Sequence, residues 1–273
     1  MRFFKRSLFV AVSFLMGFAQ ASETERPTYK LSLENDLPVT LAAGGMFGMG
    51  MFLYSRMDTP ETLKDKGDLL PWDKPLAGRY SKSADRASDI GSVFALGPLA
   101  VGGIAWYSGN STGSEFATFT VMLLQAVGIG NGINLAIRSL EVWPRPYMYA
   151  PSTRSGTEAG KEKAENAKAE AYGSFFSGHA TAAFTVATFT DQWFKTVYPN
   201  SPYKGIVCAT AYSLAGLESV LRIAAGKHYV SDVVVGALVG TGVSLGILEM
   251  HKDRNQKFSL WVGPNVAGIT LRI

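Results

Sequence analysis

Six long apolar stretches, separated by polar connections, dominate this chain: Pro38 to Tyr54, Ile90 to Tyr107, Phe116 to Ile137, Phe176 to Tyr198, Gly205 to Ala225 and Tyr229 to Met250. Each is rich in Ala, Leu, Met and Gly and carries few turn signals inside. Strands rarely run beyond ten residues, so runs of this length predict helices. No connection alternates apolar and polar positions well enough to predict a central sheet. The tail differs: Phe258 to Val262, then Gly263-Pro264-Asn265, then Val266 to Ile273 reads as a short β-hairpin. The expected fold is therefore all-α, a bundle of about six helices with a small C-terminal hairpin.

A shorter apolar run, Leu8 to Ala19, precedes these six. Arg2, Lys5 and Arg6 stand before it, and Ala19-Gln20-Ala21 forms a small-x-small site before Ser22. That is the pattern of a secretory signal peptide over residues 1–21, and the run is short for a membrane span. An exported chain starting near Ser22 is the expectation. The single cysteine, Cys208, fits that compartment, makes no internal disulfide and reads as a core residue. The remaining organisation reads as residues 22–89 (one helix and a polar connection), a core over 90–250 and a tail over 251–273.

Two connections are unusual. Ser55 to Asp89 holds Pro60, Pro71 and Pro75. Pro151 to Tyr172 contains a run of helix-forming Lys, Glu and Ala from Lys161 to Glu170, suited to a solvated face. Both read as surface excursions, the second long enough to cover a site.

Length alone permits all six stretches to cross a bilayer. Gln125, Asn131, Asn134, Asp191, Glu218 and Arg222 interrupt them, however, and such groups are costly in lipid unless they face an interior. The Gly-rich Ala42 to Met51 is the weakest span. If Ser22 lies outside the cytoplasm, six crossings put the ends of the odd-numbered helices inside. A site outside then requires that the signal segment is not what its pattern indicates or that one or more stretches do not span, and a wholly exported helical protein also satisfies the parity. A membrane-associated protein, integral or peripheral, fits the pattern.

Composition narrows the class further. The chain is 47% hydrophobic and 18% charged, which excludes a disordered polymer. One Cys excludes a disulfide scaffold, and 29 Gly without a three-residue period exclude a collagen-like chain. The formal charge of +4 is spread rather than clustered, so no nucleic-acid partner is expected.

Three short motifs at predicted helix ends carry candidate chemistry. Arg138 and Arg145 follow the third helix, with Arg145 held extended between Pro144 and Pro146. Their planar N–H forks match the oxygens of a phosphate. Ser177-Gly178-His179 opens the fourth helix, where free backbone N–H groups favour an anion, Gly178 admits close approach and His179 can exchange a proton. Arg222 ends the fifth helix, and His228 and Asp232 open the sixth on one face. A carboxylate there can fix the imidazole tautomer and leave the other nitrogen as nucleophile or base. Glu218 stands one turn before Arg222 and could pair with it. His251, the third histidine, reads as a surface residue.

Together, Arg138-x6-Arg145-Pro146, Phe176-Ser177-Gly178-His179 and Arg222-x5-His228-x3-Asp232 resemble the three-part signature of the type 2 phosphatidic acid phosphatases. These are relatives of class A acid phosphatases and vanadium haloperoxidases. The resemblance covers residues 90 to 250 in order and spacing. Three positions depart from the pattern: Arg138 stands for a Lys, Phe176 for a Pro and Leu221 for a Ser. The resemblance implies an all-α bundle with its site among helix ends, and metal-free hydrolysis of a phosphomonoester or lipid (pyro)phosphate without a cofactor. It implies His228 as nucleophile, Asp232 as its orienting carboxylate and His179 as the acid for the leaving oxygen. Arg138, Arg145, Arg222, Ser177 and the Gly178 N–H would hold the non-bridging oxygens. A vanadate-dependent haloperoxidase and a non-catalytic lipid-binding relic are the competing readings. No motif identifies the substrate.

Overall fold

A computed structural model describes residues 28–152, 156–253, 258–262 and 267–271. The expected signal segment, residues 1–21, lies outside them. The fold class is all-α. The described residues form eight α-helices: α1 (Leu33–Ser55), α2 (Lys82–Gly91), α3 (Gly97–Tyr107), α4 (Gly113–Arg138), α5 (Glu158–Glu165), α6 (Gly178–Val197), α7 (Lys204–Ala224) and α8 (Val230–His251). Beyond α8, Phe258–Val262 pairs antiparallel with Ala267–Leu271.

The expectation of about six helices is therefore too low, for local reasons. The stretch from Ile90 to Tyr107 is not one helix. α2 ends at Gly91, a 3-10 turn covers Ser92–Leu96, and α3 starts afresh with Pro98 in its first turn. Proline has no N–H to continue a helix but fits a new first turn, so the chain restarts there. α2 and α5 also draw on connections read as surface excursions, and α5 is capped by the Thr157 side chain.

α6 is the central helix, packed against α7 and α8 and also against α3 and α4. The main core joins Phe119 and Met122 of α4 to Phe189 and Trp193 of α6. Several helices touch backbone to backbone. A Cβ on Gly132 of α4 would lie 2.6 Å from Met46 of α1, and one on Gly50 of α1 would lie 2.6 Å from the Gly132 carbonyl oxygen. A Cβ on Gly236 of α8 would meet the Ser177 carbonyl oxygen at 2.5 Å. Small residues that let helices approach this closely are the packing device of helices in lipid.

The outer surface agrees. α1, α4, α7 and α8 are long and apolar enough to cross a membrane. Leu33, Leu37, Leu41 and Phe52 of α1, and Val234, Leu238 and Leu245 of α8, are exposed. Four such helices fit membrane association. The Gly-rich part of α1, expected to be the weakest span, thus belongs to a qualifying helix, whereas α3 and the enclosed α6 do not qualify. Cys208, expected in the core, is only half-buried on α7.

The helices have two poles. At one, α1, α4 and α7 end while α6 and α8 begin. At the other, Lys30 N donates to the His251 carbonyl (3.0 Å), and Tyr29 bridges Lys252. His251 is buried there, contrary to the surface position expected of it. Its Nδ1 lies 2.7 Å from the Ile247 carbonyl and its Nε2 2.5 Å from Asp36 Oδ1 of α1, where Gln125 also donates.

Candidate active site

The loop from α7 to α8 turns at Gly226, whose φ of 65° suits a residue without a side chain. His228 follows, 1% exposed. Its Nδ1 lies 2.9 Å from the Ser174 carbonyl oxygen. A carbonyl only accepts, so Nδ1 carries the hydrogen and Nε2 keeps its lone pair. Asp232 Oδ2 is 3.5 Å from the same Nδ1, too far for a good hydrogen bond. The Ser174 carbonyl therefore sets the tautomer expected of Asp232, and the carboxylate adds its charge. Asp232 is completely buried and held by three donors: Ser174 Oγ (2.6 Å), Tyr229 N (2.9 Å) and Trp143 Nε1 (3.2 Å). The first turn of α8 is fixed from far along the chain. Buried Asp73 accepts from Val230 N (3.0 Å), Ser231 N (3.3 Å) and Ser231 Oγ (2.6 Å).

α6 starts against this turn, with Ser177 N donating to the Asp232 carbonyl (3.0 Å). Ser177 Oγ caps the helix by accepting from Ala180 N (3.3 Å), which leaves its proton free to donate. Gly178 is required sterically, because a Cβ would lie 2.7 Å from Asn134 Oδ1. Asn134 Nδ2 in turn donates to the Phe176 carbonyl (2.5 Å). His179 is the second residue of α6 and is half-buried.

The three arginines are anchored differently. Arg138, in the last turn of α4, donates from Nε to the Gly173 carbonyl (2.9 Å). Its Nη2 donates to Tyr54 Oη (2.9 Å) and the Glu170 carbonyl (3.3 Å). Arg145 is fixed by its backbone, N donating to the Ala171 carbonyl (2.8 Å). Arg222 is 4% exposed, donates from Nη1 to Ser88 Oγ (2.8 Å) and lies 3.5 Å from Asp89. The expected pairing of Arg222 with Glu218 is replaced by these α2 partners. Nε of both Arg145 and Arg222 is buried with no acceptor among the described residues.

Electrostatics shows that the arginines converge on both imidazoles. Burial, followed by Arg222, Arg145 and Arg138, lowers the His179 pKa to about 3. Burial, followed by Arg145, Arg222 and Arg138, holds His228 well below its ordinary value. Lys227 is also pushed down, by burial and then by Arg145, although its Nζ lies 3.1 Å from Asp85. Two neutral imidazoles thus stand in a field of guanidiniums with unanswered N–H groups. Of the eight residues nominated from sequence, the charges of Arg138, Arg145 and Arg222 act on both histidines, Asp232 lies beside His228, and Ser177 and Gly178 open the helix that carries His179.

Sequence reasoning missed Ser174, Trp143, Asp73, Asn134, Tyr54 and Lys227. Of these, only Trp143 and Lys227 fall within the span of a motif, at its unspecified positions, and neither carried a signal by residue type.

A cavity of about 990 Å³ has Arg138, Gly178, His179 and Glu218 in its wall. It continues along α6 to Phe194 and meets Val207 of α7. Its walls are mostly Ala, Val, Leu and Ile.

An all-helical body with four helices apolar enough to cross a membrane, and with arginines and histidines gathered at its helix ends, defines a membrane-associated helical protein. A family model for the PAP2 superfamily matches residues 117–256, and the chain belongs to that superfamily. Its members are in general phosphatases acting on phosphorylated substrates. No curated protein and no solved structure matches the chain.

Proposed function

We propose that this chain is a metal-independent phosphatase that hydrolyses a lipid phosphate or pyrophosphate through a phosphohistidine. One observation carries the reading: Arg145 and Arg222, whose buried Nε–H groups find no acceptor among the described residues, act by their charge on a His228 whose Nε2 keeps its lone pair. Phosphoryl transfer calls for this arrangement, because catalysis rests on in-line positioning and on charge stabilisation of the equatorial oxygens.

In this mechanism, Arg138, Arg145, Arg222, Ser177 Oγ and the Gly178 N–H hold the three non-bridging oxygens. His228 Nε2 attacks phosphorus as the ester bond to the leaving oxygen breaks. His179 supplies the proton to that oxygen. Water then attacks the phosphohistidine, giving its proton to His179 and releasing phosphate from His228. Asp232 balances the imidazolium charge of His228 during both steps.

The apolar cavity favours a substrate with a long hydrocarbon tail over a soluble phosphoester. The pocket is proposed to face away from the cytoplasm. Phosphate release by the purified protein tests the activity, with His228→Ala and His179→Ala as controls. Full activity in either variant removes the mechanism. Protease accessibility of the 156–172 segment in intact spheroplasts tests the sidedness.

A further inference from the structure

Glu218 is the one carboxylate on the cavity wall, 6% exposed, and both its oxygens lack a hydrogen-bond donor among the described residues. A buried, unsatisfied carboxylate is destabilising and rare. It sits on α7 one turn before Arg222, about 6 Å along the helix axis from Cα to Cα, and the Arg222 charge acts on it. Gly91 of α2 packs on it, and a Cβ there would lie 2.6 Å from Glu218 Oε2. Arg222 turns away to Ser88 and Asp89, so it leaves the Glu218 oxygens unanswered. The carboxylate therefore shares one largely apolar cavity with Arg138, Gly178 and His179, within reach of a headgroup whose phosphate those groups hold.

We propose that Glu218 is a specificity-determining residue that accepts a hydrogen bond from the substrate, which is then a lipid phosphate bearing an O–H or N–H donor two or three bonds beyond its ester oxygen. This rests on the phosphatase reading above. Such a donor, in a polyol or aminosugar headgroup, reaches Glu218 while the phosphate lies on Arg222. A simple alkyl or polyprenyl phosphate has nothing to offer there and leaves the carboxylate unpaired. A site built to bond a substrate donor discriminates strongly against the analogue lacking it.

The test compares 1-O-dodecylglycerol 3-phosphate with its 2-deoxy analogue, which differ by one hydroxyl. Both kcat/KM and the binding affinity in detergent are measured. The native protein is expected to favour the hydroxyl substrate about tenfold or more, the range of a hydrogen bond to a charged group. In Glu218→Leu the ratio collapses toward one. Glu218→Gln, which keeps an acceptor oxygen, retains part of the preference. Equal treatment of the two substrates by the native protein overturns the proposal. So does an equal loss on both in Glu218→Leu, which would mean that Glu218 acts only through Arg222. If the native protein neither binds nor turns over either compound, the phosphatase reading fails and takes the proposal with it.

Discussion

His179 is assigned the proton for the leaving oxygen, yet in the free pocket its pKa is only about 3. It is neutral at any physiological pH until an anion arrives. The largest cause is burial, and the next are Arg222, Arg145 and Arg138. A tetrahedral dianion held by those same guanidiniums reverses their effect. At roughly 5–6 Å and an effective dielectric near 20, each negative charge favours the imidazolium by about 3 kcal/mol. That is about 2 pKa units per charge, or about 4 for a dianion. Binding should therefore carry His179 from about 3 to about 7, where a general acid works best. Sulfate is the proper probe because it stays a dianion throughout this range. Imidazole NMR of 15N-histidine protein reads the titration, and His228→Ala and His251→Phe assign the signals. Below pH 7, sulfate affinity should rise about tenfold per pH unit, since the complex takes up a proton the free protein does not hold. A shift of under about one unit with sulfate bound would refute the electrostatic argument.

The same depressed pKa makes the free protein acid-sensitive. Between about pH 3 and 6.5 the unfolded chain binds a proton at His179 that the folded chain does not, so stability falls as pH drops below 6.5 and sulfate offsets the loss; thermal unfolding across pH checks this. Asp73→Ala removes a remote cap from α8 and should cost about 1–2 kcal/mol in chemical denaturation and lower kcat by loosening Asp232. Gly178→Ala drives a methyl group onto Asn134, 2.7 Å away, and should cost about 1–3 kcal/mol net of any helix gain, with a matching fall in activity. Glu218→Leu removes a buried charge without a partner and should raise the unfolding free energy by about 1–3 kcal/mol, measured as an increase in melting temperature.

The helix ends were legible in the sequence because their chemistry is local. Ser177-Gly178-His179 announces a capped helix start, and His228 with Asp232 shares one face by spacing alone. The supports of those residues were not legible. Ser174 and Trp143 reach Asp232 across 58 and 89 positions of chain, and no periodicity links them. His251 looked like a surface residue because its partner, Asp36, is 215 positions away. The glycines of α1 looked like a weakness in a span. Gly50 serves instead as a contact for Gly132 of α4, while Gly128 and Gly132 make room for Ala43, Met46 and Phe47 of α1, a role visible only once the two helices are side by side. The break before Pro98 was readable in principle, but a continuous apolar run outweighed a single residue.

Residues 28–30 lie beside residues 251–253 at the pole away from the arginines. Should α1 cross a bilayer, the beginning and end of the helical body share the compartment opposite the arginine-bearing pole. A reporter protein that fluoresces only in the cytoplasm, fused behind Asp253, would then glow when hydrolysis happens outside and stay dark when it happens within. Residues 28–30 and 251–253 thus offer a readout of which leaflet the arginine-bearing pole faces.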